Sequence, residues 1–523
     1  MNSMLVQRFL ESSADRLPGK LALVCDGRRL TYGELENLAN RLAQVLRRAG
    51  VKRGDRVAIL LPNSAEAVVS IFGVLKAGAV FVFINHTTKR DKLHFILNNC
   101  EAMVLITDSK PAVSGLLVGS PPATLKQVIL CGGPALVTTW WSTEDLPSPS
   151  CAGWDELLTS APSARLPQVG IDLDLACLIY TSGTTGEPKG VMCAHENIVF
   201  ATRSIVDYLG NTEADVVLSV LSLSFTYGLY QVFAAFLVGA TVVLENSFAF
   251  PVTILQRMQQ ERVTGFPGVP TIYAVLLRMD LRSFDLASLR YLTNAAAPLA
   301  PEAVIEISRR FPQARFFSMY GQTETARTLF LPPEWIERKP ASVGGAIPGT
   351  EVWLEDEQGR RVGPGETGEL IVRGRHVMRG YWNAPEATAA RFCEGPWPGE
   401  RVCRTGDLFR TDADGFLYFV SRQDDIIKCK GEKVAPREVE ITLLRIPGIV
   451  SAGVVGVPDP ICGQAVKAVL VAEAPVPTVA QVLAHCREHL EDYMIPKVVE
   501  FRAELPRTAN GKIKRSDLIP CAA

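Results

Sequence analysis

Between Arg56 and Cys131 the chain alternates short, almost wholly apolar runs with helical patterns, which restricts its fold more than any other feature. RVAILLP (56–62) precedes a helix-periodic stretch from Ala65 to Lys76, and AVFVFIN (79–85) follows it. A helix near 91–99, AMVLITD (102–108) and QVILCG (127–132) continue the rhythm. Strands apolar on both faces need cover on both sides, so the pattern predicts a parallel sheet layered between helices. The alternation returns as a helix around 229–238 before ATVVLEN, a helix over 252–262 before VTGFPGV, then LRYLTN, a helix over 301–310 and RFFSMY (315–320). Ahead of both series, Thr31 and Glu34 make a T-x-x-E capping box before Leu35, Leu38, Leu42 and Leu46 in helical spacing.

From about residue 345 the texture changes to short strands broken by turn residues, as in VWLEDEQG, GELIVRG and DADGFLYFVS. After SRQDDIIKCKG the order becomes helix 436–446, strand 449–457, strand 464–472, helix 477–491 and strand 497–503. The expected fold class is therefore α/β: a large N-terminal domain of two parallel-type α/β subdomains plus a β-rich subdomain, with a small α+β C-terminal domain. The hinge is expected near 421–425, dividing the 523 residues into 1–423 and 424–523.

Residues 180–191, YTSGTTGEPKGV, crowd hydroxyls and glycines into one loop directly after the apolar run LACLIY. Thr181, Ser182, Thr184 and Thr185 offer hydroxyl donors, Gly183 and Gly186 let backbone N–H groups turn inward, and Lys189 adds a positive charge. Such a loop suits phosphate oxygens. It is not the ordinary P-loop, which requires four residues between its glycines and then Lys-Ser/Thr. Here two residues separate Gly183 from Gly186, Pro188 precedes the lysine and Gly190 follows it. GPGETG (363–368) spells a dinucleotide fingerprint but fails as one, because Pro364 fills the tight turn and a strand follows where a helix belongs.

A net charge of −1 gives no overall basic field for nucleic acid or an anionic membrane. No uncharged apolar stretch is long enough to span a bilayer, and the first residues lack a signal peptide's apolar core, so a cytoplasmic protein is expected. The twelve cysteines include no C-x-x-C pair and read as small apolar fillers rather than disulfides or zinc ligands. His485 and His489 can share a helix face, but no HExxH glutamate accompanies them.

Four further patches accompany the loop. RFFSMYGQTE ends a strand with Tyr320, Gly321, Thr323 and Glu324 at the edge where open α/β sheets bind ligands. CRTGDLF carries Asp407, which suits two ribose hydroxyls; SRQDDIIKCKG puts charges at the hinge; PRTANGKIKR holds Lys512. In this order the motifs resemble the adenylate-forming superfamily of acyl- and aryl-CoA synthetases, peptide-synthetase adenylation domains and firefly-type luciferases, and the resemblance runs along essentially the whole chain.

That resemblance implies a carboxylate and MgATP giving acyl-adenylate and pyrophosphate, then attack by the thiol of coenzyme A. Alternatives are a free-standing ligase loading a carrier-protein phosphopantetheine and, as a different class, a luciferase-like oxygenase. The loop 181–189 would grip the β- and γ-phosphates, with Thr185 counted among the catalytic groups. Glu324 would contribute to Mg²⁺ binding, a hard cation taking oxygen ligands. Tyr320 would stack on adenine beside Ala295, Ala296 and Ala297; Asp407 would hold the ribose with help from Arg422; Phe419 belongs to the same nucleotide set. Lys512 would reach both the substrate carboxylate and the α-phosphate. The small C-terminal domain would be mobile about Asp424, and Lys430 and Gly431 would line the thiol tunnel. A homodimer is compatible with this family. One departure is Ser421, where many members carry glycine before the hinge arginine.

The acid is narrowed by LSLSFTYGLY (221–230). Phe225 occupies the position of the family's pocket aromatic, and Thr226 stands where amino-acid-activating members commonly carry an aspartate. A buried ammonium without a counter-charge is costly, so an α-amino acid is disfavoured. An aromatic acid or a medium-length fatty acid is expected, in a mostly apolar pocket lined by Phe225, Thr226, Tyr227, Gly268, Val269, Asn294, Met319 and Ala326.

Overall fold

The computed structural model describes residues 5–108, 122–132, 149–182, 188–429, 432–459, 463–508 and 512–519. Its first sheet has seven strands among the described residues, in the order Ser150–Gly153, Gln127–Cys131, Ala102–Asp108, Arg56–Leu60, Val80–Phe83, Leu175–Ser182 and Pro188–Ala194. All neighbours run parallel except the last two, which form a hairpin. The second sheet has nine, with Arg315–Tyr320, Tyr291–Asn294, Gly265–Gly268, Val216–Ser219 and Thr241–Leu244 as its parallel centre. Apolar runs anticipate the central strands, such as Arg56–Leu60, Val80–Phe83 and Thr241–Leu244, which are almost wholly buried, but not Ser150–Gly153, Pro188–Ala194 or Val216–Ser219.

The N-terminal strand Leu21–Cys25, absent from the sequence reading, joins that second sheet beside Thr241–Leu244, about 220 residues away in the chain. Helices Tyr32–Arg48, Ala65–Lys76 and Thr226–Val238 pack between the sheets, where Phe72 meets Phe233 and Phe236 at centroid distances of 6.2 and 5.5 Å. The first begins as expected: the Thr31 side chain accepts from Glu34 N, and Glu34 reaches back to Thr31 N at 2.8 Å. The helix expected from 229 starts earlier, at Thr226, and so carries two of the anticipated pocket residues in its first turn.

A third sheet is built around Glu351–Glu355, Thr367–Arg373, Arg401–Thr411 and Leu417–Arg422, and a fourth, C-terminal sheet around Ile449–Asp459 and Gly463–Ala472. Short strands Ile427–Cys429 and Glu432–Val434, missed by the sequence reading, belong to this last sheet. The ten described cysteines are all free thiols, and among the described residues no cluster of three metal-ligating side chains occurs. No described helix is long and apolar enough to cross a membrane.

Buried His195 accepts a hydrogen bond from Val6 N at 3.1 Å through Nδ1, and burial holds its pKa down from 6.5 to about 4. The unfolded imidazole takes up a proton first as pH falls. Stability from this residue is therefore full above pH 6.5 and is lost progressively toward pH 4. Urea titrations across that window should record a loss of up to about 3 kcal/mol, which a His195→Asn variant lacks.

Candidate functional site

Sheet register explains why distant motifs meet. Gly268, Asn294 and Ser318 are side-by-side partners on adjacent parallel strands, so the segments after them emerge together at the carboxyl edge. That edge gathers Gly268 and Val269, Asn294 to Ala297, and Met319 to Gly321. Val216–Ser219, the next strand, leads into Phe225, Thr226 and Tyr227, and the Tyr227 hydroxyl donates to Thr293 O at 2.9 Å. Gly321 must be glycine, since a Cβ there would lie 2.1 Å from Ala326 O. Ala296 and Ala326 hold φ values of 71° and 49°, conformations that alanine rarely adopts and that concentrate strain at this edge.

The residues expected around the nucleotide form one network across two sheets. The Tyr320 hydroxyl donates to Asp407 Oδ2 at 2.6 Å, and Gln322 Nε2 donates to the same oxygen at 3.2 Å and to Thr405 O at 3.1 Å. Arg422 Nε lies 3.7 Å from Asp407 Oδ1, because Asp407 and Arg422 are cross-strand partners. Burial raises the Asp407 pKa above the ordinary carboxylate value, opposed by Tyr320 and then Arg422. Phe419 stands behind, edge-on to Phe409 at 5.5 Å, and Phe409 meets Tyr320 at 4.9 Å. Nucleotide affinity is expected to fall on acidification at a pH above 3.8, and Asp407→Asn should weaken binding by about 1.5–3 kcal/mol while removing that pH step. Calorimetric titration with AMP at several pH values reads both effects.

Glu324 sits in the turn Thr323–Thr325 and is nearly buried. Its Oε1 accepts from the Tyr381 hydroxyl at 2.6 Å. The Lys189 ammonium lies 5.6 Å from the Tyr381 ring centre, and Arg391 is drawn to both Glu324 and Tyr381. Burial, the largest single influence, lowers the Arg391 pKa, but the attractions of Glu324, Tyr381 and Cys403 with a hydrogen bond to Tyr381 together outweigh it, and the net shift is upward. The segment 378–382 holds the hairpin against this turn: Met378 N donates to Glu324 O at 2.9 Å, and Trp382 N to Gly190 O at 2.8 Å. Gly190 is opposite Tyr180, whose ring a Cβ would approach to 2.9 Å. Thr181 pairs with Lys189 across the hairpin, a strand-to-strand connection unlike the strand-to-helix one of a P-loop. Gly183, Thr184, Thr185 and Gly186 lie outside the described residues, as do Lys430 and Gly431, and of Ser182 only the backbone is described.

Lys512, from the far end of the chain, has its ammonium within electrostatic reach of Asp407, Glu324 and Arg422. Water still reaches its side chain, while protein crowded around the ammonium pushes its pKa below the ordinary lysine value; Asp407 pulls it up and Arg422 down. The C-terminal segment thus brings Lys512 toward Asp407, Arg422 and Glu324. Arg437 Nη2 donates to Leu299 O at 3.4 Å, and Arg278 pairs with Glu473 at 2.8 Å. Asp424 is exposed in the turn Gln423–Asp425, 4.0 Å from Arg422.

Of the residues expected to line the acid pocket, Tyr227, Gly268, Asn294, Met319 and Ala326 are buried, and Phe225, Thr226 and Val269 half-buried. One cation stands against these mostly apolar residues. The guanidinium of Arg327 lies 4.6 Å from the centre of the Tyr227 ring. Sequence reasoning also missed Tyr381, Arg391 and Gln322. Gln322 was legible beside Tyr320 and Glu324, and the run GYW (380–382) was a signal, but nothing local marked Arg391.

The AMP-binding enzyme family matches residues 10–382, and the AMP-binding enzyme C-terminal domain matches residues 438–512. The chain is 33% identical to a long-chain-fatty-acid–CoA ligase of Bacillus subtilis over 98% of its length and 94% of the relative's. It is 35% identical to a feruloyl-CoA synthase of an Amycolatopsis species, covering 96% of each chain. Among solved structures it resembles the anthranilate CoA ligase AuaEII in complex with anthranoyl-AMP, with a TM-score of 0.86, 30% identity and coverage of 98% and 96%. These matches agree with the ordered motifs and with the fold on which they sit: the chain belongs to the AMP-binding enzyme family.

Proposed function

We propose that the chain is an acid–CoA ligase: it activates a carboxylic acid with MgATP and passes the acyl group to the thiol of coenzyme A. In the first step a carboxylate oxygen attacks the α-phosphorus and the bond to the β-phosphate breaks, so pyrophosphate leaves. In the second the thiol sulfur attacks the acyl carbon, the thiol proton departs and AMP is released. The observation that carries this reading is the convergence of Lys512 with Asp407, Glu324 and Arg422 from three separate parts of the chain.

In this reading Tyr320 and Ala295–Ala297 receive adenine, Asp407 and Arg422 the ribose, and the hairpin 181–189 the outer phosphates. Lys512 neutralises charge between the carboxylate and the α-phosphate. Glu324 fits Mg²⁺, since it is a buried oxygen donor against Tyr381, over whose ring Lys189 also lies, and the ion would neutralise phosphate charge. The domain boundary is placed at 423/424 with Asp424 as the hinge, and Lys430 and Gly431 line the thiol path. Thr226, in place of an acidic residue, supports an acid without an α-ammonium.

The test is carboxylate-dependent ATP–pyrophosphate exchange over aryl and fatty acids, followed by thioester formation with coenzyme A or a holo-carrier protein. Exchange with at least one acid and transfer to coenzyme A are expected. ATP binding without exchange for any acid overturns the reading; transfer to the carrier protein alone reassigns the acceptor.

A further inference from the structure

The turn carrying Glu324 divides two environments. Glu324 faces Tyr381 and Arg391, on the phosphate side, whereas Arg327, three residues on, faces Tyr227 and Tyr208. Arg327 is only 5% exposed, and among the described residues no carboxylate pairs with it. Its Nε has no hydrogen-bond partner, and the Tyr230 hydroxyl, within its electrostatic reach, has none either. Two partly exposed arginines, by contrast, carry a carboxylate: Arg290 pairs with Asp215 at 2.8 Å and Arg404 with Glu369 at 2.6 Å.

Among the described residues Arg327 meets the π face of Tyr227 and the phenol groups of Tyr208 and Tyr230. The Tyr208 hydroxyl donates to Met319 Sδ at 3.0 Å, and its ring stacks on Phe330 with centroids 4.3 Å apart. An aromatic face attracts a guanidinium but carries no net charge. A buried cation without a counter-charge is strongly unfavourable, and a carboxylate answers it with two parallel hydrogen bonds. Tyr227 and Met319 belong to the acid side of the site, so the missing counter-charge would enter with the acid.

We infer that the acid carries a second carboxylate at its distal end, bound by Arg327, so that the preferred substrate class is a dicarboxylic acid. This rests on the ligase reading above and specifies its substrate. A dicarboxylate would place one carboxylate toward Lys512 and the other on Arg327.

Pyrophosphate exchange with matched pairs, hexanoate against adipate and phenylacetate against 4-carboxyphenylacetate, tests it. The wild-type protein is expected to favour the diacid of a pair by at least about 100-fold in kcat/KM, because a buried site built for a charged group rejects a ligand lacking it. Arg327→Met should abolish that preference, mainly through KM, and Arg327→Lys should keep part of it, with thermal melting confirming that both variants fold. Wild-type preference for the monoacids, or an equal loss on both acids in Arg327→Met, overturns the inference and leaves the ligase reading intact. Absence of exchange with every acid while ATP still binds overturns both.

Discussion

Lys512→Ala is expected to reduce carboxylate-dependent ATP–pyrophosphate exchange roughly 100- to 1000-fold, the usual cost of about 3–4 kcal/mol for removing a group aimed at developing charge. ATP binding should persist, because Asp407, Tyr320, Gln322 and Arg422 hold one another without Lys512. The contribution is electrostatic, so it depends on the ammonium being protonated. Crowding by the surrounding protein holds its pKa below the ordinary value of 10.5, hence activity should decline with rising pH at a lower pH than a free lysine would give. Lys512→Arg should move that alkaline limb upward while recovering part of the rate. Exchange at the wild-type rate in Lys512→Ala would falsify the role.

Asp424→Pro is expected to separate the two half-reactions. In the proposed mechanism Lys512 would block the thiol's approach to the acyl carbon, so thioester formation would require the C-terminal part of the chain to turn about the proposed hinge, which carries the turn Gln423–Asp425. Proline fixes φ and denies the hinge its second conformation. Asp424 is exposed and pairs only loosely with Arg422 at 4.0 Å, so exchange should stay within a few-fold of wild type. Transfer to coenzyme A should fall by roughly 100-fold or more, since misplacing reacting groups by about 1 Å already costs that much. Single-turnover transfer from preformed acyl-adenylate, measured beside exchange, isolates the effect. Equal loss of both steps, with a lowered melting temperature, would refute the hinge and indicate a folding defect.

The legible parts of the site were those whose chemistry is written within a few consecutive residues. Tyr320 and Glu324 were found because a strand, a glycine and an acid fall in sequence, and Asp407 because of its short CRTGDLF context. The hydrogen bond from Tyr320 to Asp407 crosses 87 residues, and the one from Tyr381 to Glu324 crosses 57. No local pattern encodes such pairings. Arg327 illustrates the same limit in charge: its neighbours Thr325, Ala326 and Thr328 give no hint that it is buried against Tyr227.

By itself the sequence determined the alternation of strands and helices, the order of the motifs and the class of chemistry, because backbone periodicity and motif spacing are properties of adjacent residues. Tertiary structure alone decided where Leu21–Cys25 pairs, which phenol holds Glu324, that Lys512 comes within electrostatic reach of Asp407, and that a buried cation stands against Tyr227. Register between strands distant in sequence and burial in three dimensions set those relations, and neither is a sum of local preferences.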